Sequence, residues 1–377
     1  MTERFKEWVE KRHDYAKDWK QRTGGKVVGY LCTYVPLEIF YAADILPVRI
    51  LGGHKPSTLI EPHIYSSMFC PFCRDCLGQG LEGKYDYLDG IVMAQSCLHI
   101  RQTFWSWTKH IPIDYSRYIY MPHSNQGEGR YEYFRGEVMR FKESLEEWMG
   151  RKITDKDLDR GIDICNMNRR LLREVYEFRK RPEPPLTGLE AMEMVLASQV
   201  TDKREHSKAL EEWLKELPHR KLDRITGSRL MIIGSEDDDR DFFEMVEERL
   251  TLPATFVIEE HCTGSRDFWN EVPSKEDKIE AIAERYLDRP PCPSKDWPER
   301  QRLAHIAELV KEYKVDAAIL MQQKFCDPHE LDMPALKDLF EKGLKIPTYF
   351  LEFDITVPTG QFRIRVEAFL ETMTDLI

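Results

Sequence analysis

The chain has 377 residues, of which 42% are hydrophobic and 32% are charged, so it can bury a sizeable core and should form about two or three domains. Its 55 basic and 66 acidic residues give a net charge of −11, which argues against nucleic acid as the main partner. No apolar run approaches the roughly 20 residues that span a bilayer, and the charged N-terminal segment lacks the apolar core of a signal peptide. We therefore expect a cytoplasmic protein that binds neither nucleic acid nor a membrane.

The first third of the chain alternates between predicted strands and helices. An amphipathic helix comes first, and the third strand leads through Ser96 and Cys97 into another helix. This alternation favours a parallel sheet with helices on both faces. The predicted elements are a helix at 2–21, a strand at 26–31, a helix at 36–43, strands at 46–51 and 90–95, a helix at 99–109 and a strand at 118–121.

The middle of the chain is helical, and a second alternating pattern follows it. Residues 131–179 and 187–216 have helical periodicity and almost no strand signal, so we interpret them as a helical bridge or lid. The predicted fold class is therefore α/β, with two Rossmann-like parallel-sheet units and a helical segment between them. The expected divisions are 1–130, 131–220 and 221–377, and the later strands are predicted at 230–233, 255–259, 316–321 and 348–353.

The segment after the strand at 230–233 is strongly acidic. It reads EDDDRDFF over residues 236–243. Acidic residues in a first helical turn interact favourably with the helix dipole, so we interpret this run as the start of a helix.

The cysteines are the most informative residues of the sequence. There are nine, an odd number in a chain expected in a reducing compartment, so a disulfide framework is not expected. Cys32, Cys97, Cys262 and Cys326 each follow a predicted strand, where open α/β sheets bind their ligands. This placement predicts a thiolate site in a cleft between the two units. Zinc and an iron–sulfur cluster both remain possible occupants, because thiolates select both.

One close cysteine cluster is present, at Cys70, Cys73 and Cys76. Its CxxCxxC spacing resembles part of a ferredoxin motif, but the fourth cysteine of that motif is missing and position 80 is Gly80. We interpret the cluster as the start of a helix, with Cys70 able to join a longer-range site. The sequence contains no P-loop, no GxSxG elbow and no HExxH motif, so it lacks the usual nucleotide, hydrolase and zinc-protease signatures.

Several separated motifs resemble, in order, those of the benzoyl-CoA reductase / 2-hydroxyacyl-CoA dehydratase family. The resemblance extends from about residue 24 to the C-terminus, and the order of the motifs makes it more specific than any single one. The matching segments are Gly29 to Glu38, Tyr41 to Ala43, Leu46 to Arg49, Cys70 to Phe72, Glu82 to Asp86, Ser96-Cys97, Cys262 to Arg266, Phe325 to Pro328, and Gly360-Gln361 with Arg363 and Arg365.

The resemblance implies a cytoplasmic iron–sulfur enzyme with several partners. A [4Fe-4S] cluster would be held by three cysteines, and a related cluster-bearing subunit would pair with this chain. ATPase activator subunits with their own iron–sulfur cluster would supply low-potential electrons, with ferredoxin as the upstream donor and an aromatic acyl-CoA as the substrate. Three of the four cysteines Cys32, Cys70, Cys97 and Cys326 are the expected ligands.

Two further residues are candidates for acid–base chemistry. Many family members have aspartate after the Ser-Cys pair, whereas this chain has Leu98 and His99. His99 therefore becomes a candidate proton donor, because an imidazole titrates near neutral pH. Glu38, two residues after Pro36, is a second polar candidate.

The first functional hypothesis is the smaller cluster-bearing subunit of an ATP-dependent benzoyl-CoA reductase. The enzyme would reduce benzoyl-CoA to a cyclohexadiene-carbonyl-CoA by single-electron transfer. The alternatives are a subunit of a 2-hydroxyacyl-CoA dehydratase, an electron-carrying or maturation iron–sulfur protein, and a zinc-binding structural protein.

Overall fold

The computed structural model describes residues 2–374 and contains two four-stranded sheets in which every strand pair is parallel. The fold class predicted from the sequence is confirmed. The strands are β1 (Val27–Leu31), β2 (Leu46–Arg49), β3 (Gly90–Ala94), β4 (Tyr115–Ile119), β5 (Ser228–Gly234), β6 (Ala254–Glu260), β7 (Ala317–Gln323) and β8 (Thr348–Phe353).

Both sheets have the same topology. The strand order is β2-β1-β3-β4 in the first and β6-β5-β7-β8 in the second. In each unit the chain therefore begins at an inner strand, adds one neighbour, and then crosses to the other side. Ligands of open α/β sheets bind at the point where the strand order reverses, which lies between β1 and β3 in the first unit and between β5 and β7 in the second.

The helices and strands mostly follow the predicted pattern, but the N-terminal helix and the fourth strand differ from it. The N-terminal helix is broken at Lys11 into two, and the fourth strand begins at Tyr115 instead of residue 118. The start of β4 was missed because Ser116 is exposed and Arg117 half-buried at the edge of the sheet, which removes the apolar run of an inner strand. The helices are α1 (Thr2–Glu10), α2 (Arg12–Thr23), α3 (Leu37–Ala42), α4 (Pro71–Leu81), α5 (Leu98–His110), α6 (Arg130–Met149), α7 (Asp155–Phe178), α8 (Gly188–Val200), α9 (Lys203–Glu216), α10 (Arg240–Glu248), α11 (Lys278–Asp288), α12 (Arg302–Glu312), α13 (Asp327–Asp338) and α14 (Thr359–Thr374).

Helix α8 connects the two sheets. It contacts the edge strands β2 and β6, and almost all of its side chains are buried. It begins at Thr187, whose hydroxyl accepts a hydrogen bond from the backbone N–H of Glu190 while the Glu190 carboxylate accepts one from Thr187. One continuous hydrophobic core contains residues of both sheets and of α8, so α8 holds the carboxyl ends of the two sheets near each other.

The other helices of the middle segment cover the first unit. Helix α6 packs on β4, and α7 packs on α3. Helix α11, which follows β6 in the sequence, packs on α6. Within residues 2–374, no helix is both long enough and apolar enough to cross a membrane.

Candidate functional site

Three cysteines occupy the same backbone position, the residue that caps the N-terminus of a helix. Cys70 caps α4, Cys97 caps α5 and Cys326 caps α13. The free N–H groups and the positive end of the helix dipole favour a negative charge at such a position, and thiolates are stabilised there. Cys32 is placed differently. It follows β1 directly and has a left-handed backbone conformation, with φ of 72°.

The four predicted cysteines line one pocket of about 570 Å³ at the carboxyl ends of both sheets. The walls between them include the apolar side chains of Phe72 and Ile100. The pocket thus lies where the strand order of each sheet reverses. The cysteines that line it are Cys32, Cys70, Cys73, Cys97, Cys262, Cys292 and Cys326.

Contacts between sulfurs cross from one unit to the other. The thiols of Cys326 and Cys73 donate hydrogen bonds to the sulfur of Cys70, and these bonds hold the pKa of Cys70 well below its usual value. The same contact with Cys70 raises the pKa of Cys326. Burial raises the pKa of Cys97 to about 12. Cys70 is therefore the pocket cysteine most ready to carry a negative charge.

The CxxCxxC segment does not act as one unit. Cys70 and Cys73 line the pocket, whereas Cys76 is fully buried and directs its thiol to the carbonyl oxygen of Ile50 at 3.7 Å. This separation follows from the helix, since Cys73 lies in the first turn of α4 and Cys76 one turn further into the core.

His99 lies beside Cys70 and is absent from the lining of the pocket. Its Nδ1 accepts a hydrogen bond of 3.1 Å from the backbone N–H of Cys70, and its ring stacks on Phe69 with 4.4 Å between ring centroids. The hydrogen bond to the Cys70 side chain raises the pKa of His99. The structure therefore brings His99 to one of the predicted cysteines.

Glu38 lies outside the cysteine pocket. It is fully buried on α3, where Arg169 of α7 binds its carboxylate at 2.6 Å and the Tyr286 hydroxyl donates a hydrogen bond of 3.0 Å. Burial opposes its ionisation, but the Arg169 guanidinium more than compensates and the pKa of Glu38 is lowered. These contacts describe a buried ion pair that ties α3 to α7.

Sequence reasoning missed the polar residues that join the cysteines. Gln323, at the end of β7, accepts hydrogen bonds from the Cys70 thiol and the Phe72 backbone, and its amide donates to the Glu236 carbonyl at 2.7 Å. The Glu236 carboxylate in turn binds Arg49 at 2.7 Å and accepts a hydrogen bond of 3.0 Å from the Cys262 thiol. The positions of Gln323 and Arg49 at strand ends were the only available signal.

The helix start predicted at residues 236–243 is correct only for its second half. Helix α10 begins only at Arg240, and Asp239 caps it by accepting the Phe242 N–H at 2.8 Å. Glu236, Asp237 and Asp238 lie before the helix; Glu236 and Asp237 are buried, and Asp238 is partly exposed. The sequence does not fix the first residue of this helix, because its apolar periodicity starts only at Phe242 and the first turn can lie several residues earlier.

The lining of the pocket is rich in sulfur donors. Among residues 2–374, no group of three or more His, Cys, Asp or Glu side chains could hold one metal ion, as a structural zinc site requires. The thiolate ligands of an iron–sulfur cubane bind different irons, so they are spaced around a larger volume. Seven cysteines line the one pocket, and three of them cap the N-termini of helices.

The model of one protein family, the 2-hydroxyglutaryl-CoA dehydratase D-component, matches residues 32–373. The chain belongs to this family. The family resemblance inferred from the separated motifs is therefore confirmed.

Relatives are similar over nearly the full length of the chain. The β subunit of (R)-phenyllactyl-CoA dehydratase from Clostridium sporogenes is 26% identical over 373 residues, covering 98% of this chain and 97% of the relative. A benzoyl-CoA reductase subunit from Thauera aromatica is 27% identical over 361 residues, with 94% and 92% covered. The β subunit of (R)-2-hydroxyglutaryl-CoA dehydratase from Acidaminococcus fermentans is 26% identical over 359 residues, with 93% of both covered. The relatives are thus named as subunits of enzymes that act on CoA thioesters.

Proposed function

We propose that the chain is a cluster-bearing catalytic subunit of an ATP-dependent benzoyl-CoA reductase. The observation that carries the proposal is the pocket in which cysteines from both units meet at the carboxyl ends of two parallel sheets. A [4Fe-4S] cluster bound there would supply single electrons at low potential, which the reduction of an aromatic ring requires.

Cys70, Cys97 and Cys326 are the ligands we favour among the four predicted cysteines. Each caps a helix, so each thiolate would be stabilised by free backbone N–H groups. Cys32 does not cap a helix, so it is the alternative ligand if one of these three does not bind the cluster. His99 would then position Cys70 through the hydrogen bond to its backbone N–H.

A surface groove provides a route for the thioester. It has a volume of about 990 Å³ and shares Ser96, Cys97, Ser294 and Pro328 with the cysteine pocket. We propose that the acyl group enters through this groove. The buried pocket beyond it would keep water away from the reduced substrate, which would otherwise lose its electrons to protons.

The proposed enzyme needs partners that this chain does not supply. A related cluster-bearing subunit would complete the catalytic core, and ATPase activator subunits with their own iron–sulfur cluster would deliver electrons from ferredoxin. The lack of a P-loop in this chain is consistent with ATP hydrolysis in a separate subunit.

A 2-hydroxyacyl-CoA dehydratase subunit is the second candidate. It is favoured by the name of the matching family and by the names of the phenyllactyl-CoA and 2-hydroxyglutaryl-CoA dehydratase relatives. Such a lyase would use the same pocket but would return its electron after each turnover.

Anaerobic assays with the activator, ATP and a reductant separate the two candidates. Consumption of two electrons for each benzoyl-CoA supports the reductase, whereas many turnovers of a 2-hydroxyacyl-CoA for each electron support the dehydratase. A complex that transforms neither thioester would overturn both.

The cluster and its ligands are tested by metal analysis of the anaerobically purified complex. Alanine variants of Cys70, Cys97 and Cys326 should each lose iron and sulfide, and the variant Cys32→Ala should keep them. Cys165→Ala is the matched control, because Cys165 is also fully buried but lies in the core between α7 and its neighbours. Full iron content in all three ligand variants would contradict the proposed set.

A further inference from the structure

An acidic cleft lies directly behind the cysteine pocket. It has a volume of about 320 Å³ and shares Phe72, Glu236 and Gln323 with that pocket. The side chains of His54 and Asp354 at the cleft are 36% and 43% exposed, so this end reaches solvent. The two cavities are therefore separated by only a few side chains. Of the three residues that line both cavities, Glu236 is the one whose side chain can donate a proton as an acid.

The cleft contains a carboxyl group that has no other role in the fold. Asp237 lines it and is only 1% exposed, yet neither of its carboxyl oxygens has a hydrogen-bond partner among the described residues. Burial and the nearby Asp239 and Asp238 raise its pKa well above the usual value. This shift favours the protonated form of Asp237, which is adjacent to Glu236 in the sequence.

The contacts of Glu236 orient its carboxyl group toward the cysteine pocket. Arg49 binds it from β2, and the Cys262 thiol donates to the same oxygen that accepts a hydrogen bond from Arg49. Cys262 is not one of the four expected ligands of the cluster. The other charged groups that act on Glu236 are Asp238 and Arg266.

The titration of Glu236 suits proton transfer near neutral pH. Burial raises its pKa to about 7, against the opposing effect of Arg49. A general acid works best when its pKa lies close to the pH at which the protein operates. Glu38 differs in this respect, since its ion pair with Arg169 lowers its pKa.

We propose that Glu236 passes protons from the acidic cleft to the substrate in the cysteine pocket. The inference rests on the proposed function, in which a low-potential iron–sulfur reductase supplies one electron to the thioester. The O–H bond of the Glu236 carboxyl breaks, a C–H bond forms on the reduced thioester, and the resulting carboxylate takes a new proton from Asp237 or from water in the cleft. One proton moves in each step, and the electron count of Glu236 does not change.

The first test needs neither cluster nor substrate. The S–H stretches of the cysteines lie in a spectral region free of other protein bands, and the Cys262 band is identified there as the one that Cys262→Ala removes. Its frequency depends on whether Glu236 accepts as a carboxylate or as a carboxyl. Infrared spectra of the full-length apoprotein should show this band shift with a midpoint near pH 7. The shift should be absent in Glu236→Gln and in Cys262→Ala. A wild-type band that does not change between about pH 5.5 and 8.5 would overturn the proposal, because Glu236 would then not titrate in this range.

The second test uses the holo complex with its activator, ATP and thioester. Glu236→Gln should slow proton transfer in a single turnover by about 10²-fold or more, as for loss of a general acid, with unchanged iron content. Glu236→Asp should restore part of the rate. Glu193→Gln is the control, because burial also raises the pKa of Glu193 to about 7 but its side chain pairs with Arg240 away from both cavities.

The outcomes distinguish a failure of the proton route from a failure of the proposed function. Equal single-turnover rates in the wild type and Glu236→Gln would overturn the proton route while the proposed function stands. A wild-type complex that transforms no thioester would overturn both. Wild-type steady-state turnover in Asp237→Asn would overturn Asp237 as the group that reprotonates Glu236, and water in the cleft would then be the proton source.

Discussion

The buried ion pair between Glu38 and Arg169 permits a quantitative prediction. The Glu38 side chain is fully buried and the Arg169 side chain is 4% exposed, with 2.6 Å between Oε1 and the guanidinium nitrogen. The variant Glu38→Gln removes the negative charge and leaves the guanidinium buried without a counter-ion. Breaking a buried pair in this way costs about 3–5 kcal/mol of unfolding free energy, and we expect a value near the lower end because the glutamine oxygen can still accept from Arg169.

Urea unfolding of Glu38→Gln, Arg169→Met and the double variant measures this effect. The double variant should recover much of the loss, since removing both charges leaves no isolated ion. Glu177→Gln is the control, because Glu177 is 63% exposed and its pair with Lys180 should contribute less than about 1 kcal/mol. An unchanged unfolding free energy in Glu38→Gln, together with loss of thioester turnover, would refute the structural role and restore Glu38 as an acid–base residue.

Three further predictions concern stability. Gly161→Ala should weaken the contact between α3 and α7 by about 1–3 kcal/mol, because an added Cβ would lie 2.2 Å from the Glu38 carbonyl oxygen; a urea midpoint equal to that of the wild type would contradict this. Burial lowers the pKa of both His206 and His261 to about 3. Between about pH 6.5 and 3 the unfolded state takes up protons that the folded state does not, so each histidine should lower the free energy of unfolding by roughly 1.4 kcal/mol per pH unit as the pH falls. A constant free energy of unfolding between about pH 6.5 and 5 would refute this. Thr187→Ala removes the hydroxyl that caps α8 and should lower the unfolding free energy by about 1 kcal/mol, measured by the same urea titration, with Thr187→Ser as the variant that should retain stability.

The fold and the clustering of the cysteines were predictable for a simple reason. In a parallel sheet, the carboxyl ends of the strands lie at one edge, so Cys32 and Cys97 had to be neighbours once the strands were assigned. The position of Cys326 opposite them depended on how the second unit packs, which the sequence indicates only through the family resemblance. The structure supplies the reason, since α8 contacts an edge strand of each sheet.

The polar residues of the site could not be predicted in the same way. Glu236 and Arg49 lie far apart in the sequence and meet only because the two units pack together. Glu38 is a candidate from the sequence because it is a polar residue two positions after Pro36. Its partner Arg169 lies on α7, and no local pattern indicates that pairing. Side chains whose partners lie on another unit are outside the reach of periodicity and spacing.

The shared topology of the two units shows why Glu236 differs from the cysteines around it. The first and third strands of the first unit lead to Cys32 and Cys97, and the third strand of the second unit leads to Cys326. The remaining equivalent strand, β5, ends at Gly234 and leads through Ser235 to Glu236. Three of the four inner strand ends therefore deliver a thiol to the pocket, and the fourth delivers a carboxyl group. If the proposed cluster supplies electrons in this pocket, the reduced substrate also needs a proton source close by, and the fourth strand end is the inner position that no cysteine occupies.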